Sequence, residues 1–462
     1  MSPLLLGIAG YILLQLLIGV LVSRRIKNES DYLLAGRRFG IGLGTFTIFA
    51  TWFGAETCIG AAGSIYSEGL SGGAADPFGY ATCLLLMGAV FAVPLWRRGL
   101  TTFADLFRQR YSRGVERLVV LLIVPGSVMW AAAQIRAFGQ VISASSNFEV
   151  EFAITLAAVV VVVYTIYGGL MADAITDLVQ GIALVIGLVI LFAVVVGALG
   201  GIEPAAARIP VERVHLFGGP EASTLAVIER WAIPICGSVL SQELVARVLA
   251  SSSPQVAQRA SLLGGGFYLA IGMIPVFLGL VGAQLIPNLV EPEQLLAQLA
   301  QQYLPTYLYI AFAGALVSAV LSTVDSALLA AAALTSHNLV IPLMPSLGET
   351  AKVRTARAGV LVFGLLAYYL ALHAEGVYAL VEEASAFGSA GVFIVALFAL
   401  FSRFGDSRSA MTALVTGLLA WTLGAYVLAF PYPYLTSLGA SYLAYVGVAL
   451  IGPRVQRVTE IG

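Results

Sequence analysis

Charge is scarce in this sequence. Asp, Glu, Lys and Arg make up 11% of its 462 residues, where soluble domains carry roughly 25%, so a water-facing globular surface of ordinary composition is excluded. The formal net charge of −1 leaves no basic excess to attract nucleic acid, which is not expected as a partner. Histidine is rare too: His215, His337 and His373 sit on different connections or span ends, which argues against a histidine metal centre. The three cysteines, Cys58, Cys83 and Cys236, lie in apolar runs, where a small buried hydrophobe is expected rather than a disulfide framework. No extramembrane stretch is long enough for a separate domain; the largest, about Gly201 to Ala222, reads as an outer loop. A sensor or pore with an attached cytoplasmic domain is therefore not expected.

What is abundant is apolar sequence, 59% of the chain. Segments of spanning length fall at 3–22, 42–68, 75–96, 116–145, 150–167, 174–200, 223–249, 260–287, 306–341, 355–373, 377–402, 409–429 and 434–452. The expectation is an all-α polytopic membrane protein of about 13 transmembrane helices, forming one domain over 1–462 in a lipid bilayer. The start lacks a basic region ahead of its apolar run, so 3–22 reads as a retained helix and not a signal peptide. Lys and Arg recur at every second connection, from Arg24 and Arg25 through Arg97 and Arg98, Arg247 and Arg259, and Lys352 and Arg354 to Arg454 and Arg457. By the positive-inside rule the amino terminus faces out and the carboxyl terminus faces the cytoplasm, in the plasma (inner) membrane.

Two spans look interrupted. The second reads "FATWFGAETCIGAAGSIYSEG", with Gly54, Gly60 and Gly63 around a polar middle; the seventh reads "ERWAIPICGSVLSQELVARVL", with Pro234 and Gly237. Five spans separate them, the spacing of two inverted five-helix repeats that each open with a broken helix. Gln242 and Glu243, just after the second break, either line a pathway or satisfy backbone groups freed by the kink. Arg136, well inside the fourth span, needs a partner, with Glu56 and Glu382 as candidates.

The ninth span is the most unusual. In "LVSAVLSTVDSALLAAAAL", Leu316 to Leu334, Ser318, Ser322, Asp325 and Ser326 share one helical face, with Thr323 at its edge. Lone Ser or Thr residues in membrane helices commonly bond back to a carbonyl one turn earlier. A cluster ending in an intramembrane carboxylate points instead to an ion pathway. Hydroxyls together with carbonyls freed by an unwound helix can replace the hydration shell of a hard cation. An intramembrane enzyme would need a nucleophile with a base, and His337 lies beyond the hydroxyl face, so no enzyme activity is expected.

Four stretches carry a resemblance. "DYLLAGR" (Asp31 to Arg37), "GAAGSIYSEG" (Gly60 to Gly69), "YTIYGGLMADAITDLVQ" (Tyr164 to Gln180) and "STVDSALL" (Ser322 to Leu329) make the chain similar to the sodium/solute symporters, the family of sodium-driven sugar, proline, sialic acid and choline carriers. The resemblance implies a LeuT-type five-plus-five inverted repeat over 42–402, with 3–22 before it and two helices over 409–452 after it, and Na+ as coupling ion. It implies a main sodium site made by the carbonyls of Ala50, Phe53 and Ala319 and the hydroxyls of Ser322 and Thr323. A second site found in some members would fall on Asp177, Ser322, Asp325 and Ser326. Asp325 stands where the best-described member has serine, so two carboxylates sharing a proton is the alternative.

Within the family, "MWAAAQIRAFGQVIS" (Met129 to Ser143), "ARVLASSS" (Ala246 to Ser253) and "PFGY" (Pro77 to Tyr80) resemble the high-affinity choline transporter branch. That branch holds a trimethylammonium group in an aromatic cage. Trp52, Tyr80 and Trp130 match three cage positions, while the fourth, a tryptophan, falls on Ser241. Asp76 and Glu382 are carboxylates where the branch is neutral. The expected function is sodium-coupled import of a small organic solute by alternating access, choline or a related amine. An amino acid, monocarboxylate or sugar symporter, or a proton-coupled carrier, is the alternative. The sequence leaves monomer and homodimer both open.

Overall fold

In hydrocarbon, a segment can satisfy its own backbone only as a helix, and the described residues form helices, with an isolated bridge between Phe39 and Ser251 as their only extended pairing. A computed structural model describes residues 26–54, 56–144, 148–219, 222–374 and 376–451, together with Gly10, Leu17 and Leu21. Within its helices the side chains at 144, 164, 167, 168, 318, 319, 321, 322, 378 and 379 are not described.

The helices that position the site are α1 (Ile41–Trp52), α2 (Ala62–Glu68), α3 (Leu70–Arg97), α4 (Arg113–Ala144), α5 (Val150–Ala198), α6 (Thr224–Ser238), α7 (Gln242–Ala250), α8 (Pro254–Leu285), α9 (Thr306–Thr335), α10 (Glu349–His373), α11 (Val377–Ala386), α12 (Ser389–Phe401), α13 (Ser407–Thr422) and α14 (Pro433–Ile451). Among the described residues nine helices are long and apolar enough to cross a membrane, or ten if α6 and α7 form one bent span. The thirteen segments expected from sequence go beyond that number for two reasons. The first, 3–22, lies outside the described residues except at Gly10, Leu17 and Leu21. The second and fifth fall on helices shorter than a span, Ile41–Trp52 and Val150–Val163. The fifth and sixth segments join in α5, where Gly169 leaves helical geometry at φ 64 and ψ 176.

Both interruptions read from the sequence are present. α1 stops at Trp52, and Phe53 turns out of the helix at φ −91 and ψ 75 before the chain resumes helical winding at Glu56. α6 carries Pro234 and ends at Ser238; α7 starts four residues later at an angle of 46°. Ser241 makes that second start possible, because its extended backbone leaves the hydroxyl to accept from the Leu244 amide at 3.4 Å as an N-cap.

α9 packs against α4 and α5, and α1 against α8 and α5. Lipid gives helices no hydrophobic reason to associate, so close contact between small residues does the work; α9 accordingly buries Ala327, Ala331 and Ala332 beside Val320, Val324 and Leu328. α13 and α14 pack on each other and reach the bundle through α12, α4 and α6. Gly237 shows how tight the second break is, since a Cβ there would lie 2.2 Å from the Ser385 carbonyl oxygen. Gly237→Ala should therefore lower stability by about 1–3 kcal/mol through overpacking, read as a drop in thermal unfolding temperature in detergent.

Candidate functional site

A helix that stops inside the membrane leaves its last carbonyls without intrahelical donors. Ala50 lies in that last turn of α1 and Phe53 directly follows it, and both are buried. Gly54 follows directly, and a Cβ there would sit 2.6 Å from Thr323 Oγ1 and 3.3 Å from Gln134 Oε1. The break in α1, the Thr323 hydroxyl on α9 and the Gln134 amide on α4 thus meet at one point. Gln134 is fully buried, and among the described residues neither its oxygen nor its nitrogen has a hydrogen-bond partner. An orphaned buried amide costs on the order of 1–3 kcal/mol unless an ion or water completes it. Of the expected ion ligands, the side chains of Ala319 and Ser322 lie outside the described residues.

The three expected cage residues do come together. Ring centroids are 5.1 Å apart for Trp52 and Tyr80, 5.1 Å for Trp52 and Trp130, and 5.9 Å for Tyr80 and Trp130. At such spacings the rings pack on one another, so they form a closed cluster with no room between them for a trimethylammonium group. The open space lies beside the cluster: a cavity of about 60 Å³ lined by Trp52 and Trp130, Ser127, Ser241, Glu243 and Thr323. Ser241 is therefore at the cavity as expected, as polar wall and N-cap together.

Asp76 and Glu382 do not line this cavity, which corrects their assignment as its carboxylates. They line a second one of about 180 Å³ with Glu56, Arg230 and Tyr80. The physical reason is that the Asp76 carboxylate is already held from behind, by the Thr57 hydroxyl at 2.7 Å and the Tyr268 hydroxyl at 2.8 Å. Glu382 is exposed. Tyr80 joins the two spaces, its ring in the aromatic cluster and its hydroxyl 3.1 Å from Ser385 Oγ.

Arg247 requires a second correction. Its neighbours in sequence suggested a charge at a cytoplasmic connection, yet its side chain is 1% exposed. Nη2 donates to Asp173 at 2.6 Å, to Ser326 at 2.5 Å and to Asp177 at 3.4 Å, and Nε donates to Thr47 at 3.2 Å. Thr47 in turn donates to Asp177 at 2.5 Å. Asp177 and Ser326 are thus brought together as expected, but around a fixed guanidinium that supplies the positive charge a second cation would bring. Asp325 points elsewhere and accepts from Thr165 at 2.6 Å. Asp325 thus stands apart from the group that Asp177 and Ser326 form around Arg247. The missed residue was Asp173; with Asp177 it makes an i, i+4 acidic pair inside a membrane helix, a pattern that demands a buried cation.

Two further sequence readings resolve. Arg136 donates to the Ala371 carbonyl at 2.9 Å, near the carboxyl end of α10 where carbonyls lack helical donors, and to neither Glu56 nor Glu382. Gln242 is structural, its side-chain oxygen accepting from the Phe103 amide at 2.8 Å. Glu243, its neighbour, faces the aromatic cavity.

Comparison with known proteins gives a consistent picture. The family profile described as "Sodium:solute symporter family" matches residues 32–417. The high affinity choline transporter 1 of Homo sapiens is 28% identical over 456 residues, covering 94% of this chain and 78% of that protein. The sodium/proline symporter of Staphylococcus aureus is 26% identical over 442 residues, covering 89% and 84%. A solved Na+-coupled sialic acid symporter, in a substrate-bound outward-open state, superposes with a TM-score of 0.86 at 15% identity and covers 97% of each chain.

Proposed function

Because the chain belongs to the sodium:solute symporter family, we propose that it imports a small organic ammonium solute, choline or a related amine, together with sodium. It is an integral membrane carrier and not an enzyme, and sodium is its coupling ion. The substrate reading draws on the choline transporters among its relatives and on the aromatic wall beside the cavity.

One observation carries the coupling: the same break in α1 presents the Trp52 ring to the cavity and the Gly54 backbone to Thr323 and Gln134. Oxygens at that point suit a hard cation. In this reading the carbonyls of Ala50, Phe53 and Ala319 and the hydroxyls of Ser322 and Thr323 hold sodium, with Gln134 Oε1 beside them. Holding the ion fixes the end of α1, and with it the position of Trp52, so ion and solute favour the same conformation. The bundle then rocks between outward and inward states around the two breaks, which stand at corresponding positions of two inverted repeats. Each positive charge moved inward gains about 2.3 kcal/mol per 100 mV of membrane potential. The amino terminus faces out and the carboxyl terminus faces the cytoplasm of the cell.

The test is uptake of radiolabelled choline by proteoliposomes under an inward Na+ gradient, compared with K+ in its place. Uptake that requires sodium supports the reading; sodium-independent uptake or none contradicts it. Gln134→Leu, which keeps size and removes the oxygen, should raise the half-saturating sodium concentration about tenfold, the worth of one hydrogen bond to a charged group. An unchanged sodium curve in that variant would remove Gln134 from the site.

A further inference from the structure

The cavity beside the aromatic cluster contains a carboxylate that forms no ion pair among the described residues. Glu243, in the first turn of α7, lines it together with Trp52 and Trp130. It accepts from the Ser127 hydroxyl at 2.6 Å and enters no ion pair among the described residues. Arg247, one turn further along α7, acts on it only through space and makes no ion pair with it. That guanidinium donates to the backbone carbonyl of Glu243 at 3.1 Å and gives its other contacts to Asp173, Asp177, Ser326 and Thr47.

The amino end of a helix favours a negative charge by a fraction of a kcal/mol to about 1 kcal/mol, which helps Glu243 tolerate its place. It does not account for the side chain's facing an aromatic cavity. An ionised carboxylate has about four acceptor positions; the Ser127 hydroxyl fills one and Ser241 also hydrogen-bonds to it. The side chain lines a space walled by two indole rings, whose faces attract cations. The chemical complement of both walls together is a cation that can also donate a hydrogen bond.

We infer that Glu243 selects the solute, and that the solute carries at least one N–H on its cationic nitrogen: a protonated primary, secondary or tertiary amine in preference to a quaternary ammonium. A quaternary nitrogen is shielded by its methyl groups and gains only the aromatic faces. An N–H donor gains in addition a charge-assisted hydrogen bond to Glu243, roughly twice as strong as a neutral one. Ser241, small and polar, lines the same cavity beside Glu243. The inference rests on the reading of this cavity as the solute site.

The pair that tests it is choline and N,N-dimethylethanolamine, which differ by one methyl against one proton on nitrogen. Sodium-driven uptake of each is measured in proteoliposomes of the full chain. The wild type should show a KM for dimethylethanolamine at least about tenfold below that for choline. Glu243→Gln, of the same shape without the charge, should bring the two KM values within about twofold of each other. Equal KM values in the wild type, or a preference that survives Glu243→Gln, would overturn the role of Glu243 while leaving an ammonium symporter in place. If neither amine is carried, the solute reading falls and this inference falls with it. The wild-type comparison decides the question by itself if Glu243→Gln does not fold.

Discussion

Arg247→Met is expected to lower the stability of the folded bundle by about 3–5 kcal/mol, the cost of removing one partner from a buried ion pair. The guanidinium bridges Asp173 and Asp177, while Thr47 and Ser326 hold its remaining donors. Without it two carboxylates would face each other with side-chain exposures of 3% and 0%. The measurement is thermal unfolding in detergent, and a triple variant gives the control. Arg247→Met combined with Asp173→Asn and Asp177→Asn removes the charges together, and should recover most of the loss because uncharged replacements of buried ion networks are often neutral or better. Arg247→Lys should recover little, since an ammonium is a point charge and cannot spread donors over four partners. An unfolding temperature for Arg247→Met close to wild type would mean that the network is not what holds α5, α7 and α9 together.

Thr323→Ala and Trp52→Ala should fail in different ways, although the two residues line the same cavity. Thr323→Ala removes an oxygen that lies against Gly54, and should raise the half-saturating sodium concentration more than about tenfold. Trp52→Ala removes a cavity wall and should weaken solute affinity about thirtyfold, about 2 kcal/mol of desolvated cation–π contact. Its sodium response should be largely retained. Uptake is measured against sodium at fixed solute and against solute at fixed sodium. If both variants shift both curves alike, ion site and solute site are not separable in the way the geometry suggests.

Several features were legible because they are written locally. Pro234 and Gly237 lie within a few residues of the second break, and Gly54 sits in the first. Trp52, Tyr80 and Trp130 come from three different helices, and their meeting was legible only through the resemblance to a branch that brings those positions together. Arg247 was misplaced because charge at a helix end is ordinarily a sign of the cytoplasmic face, and nothing in its own neighbourhood reveals that α5 delivers Asp173 and Asp177 to it. Asp76 and Glu382 were misassigned for a related reason. A carboxylate's sequence position does not say which side of a tyrosine it occupies, and here Thr57 and Tyr268 hold Asp76 behind Tyr80.

The sequence by itself determined the membrane environment, the helical class, the two breaks and the family, because each depends on composition, on residues close together in the chain, or on motifs that survive in order. Only the tertiary structure decided which charges pair, which carboxylate faces the cavity and where the ion and solute elements meet. Those contacts join residues far apart in the chain, such as Ser127 with Glu243 and Arg247 with Asp173. In a low-dielectric interior a charge is settled by whichever partner the packing of the helices brings within reach.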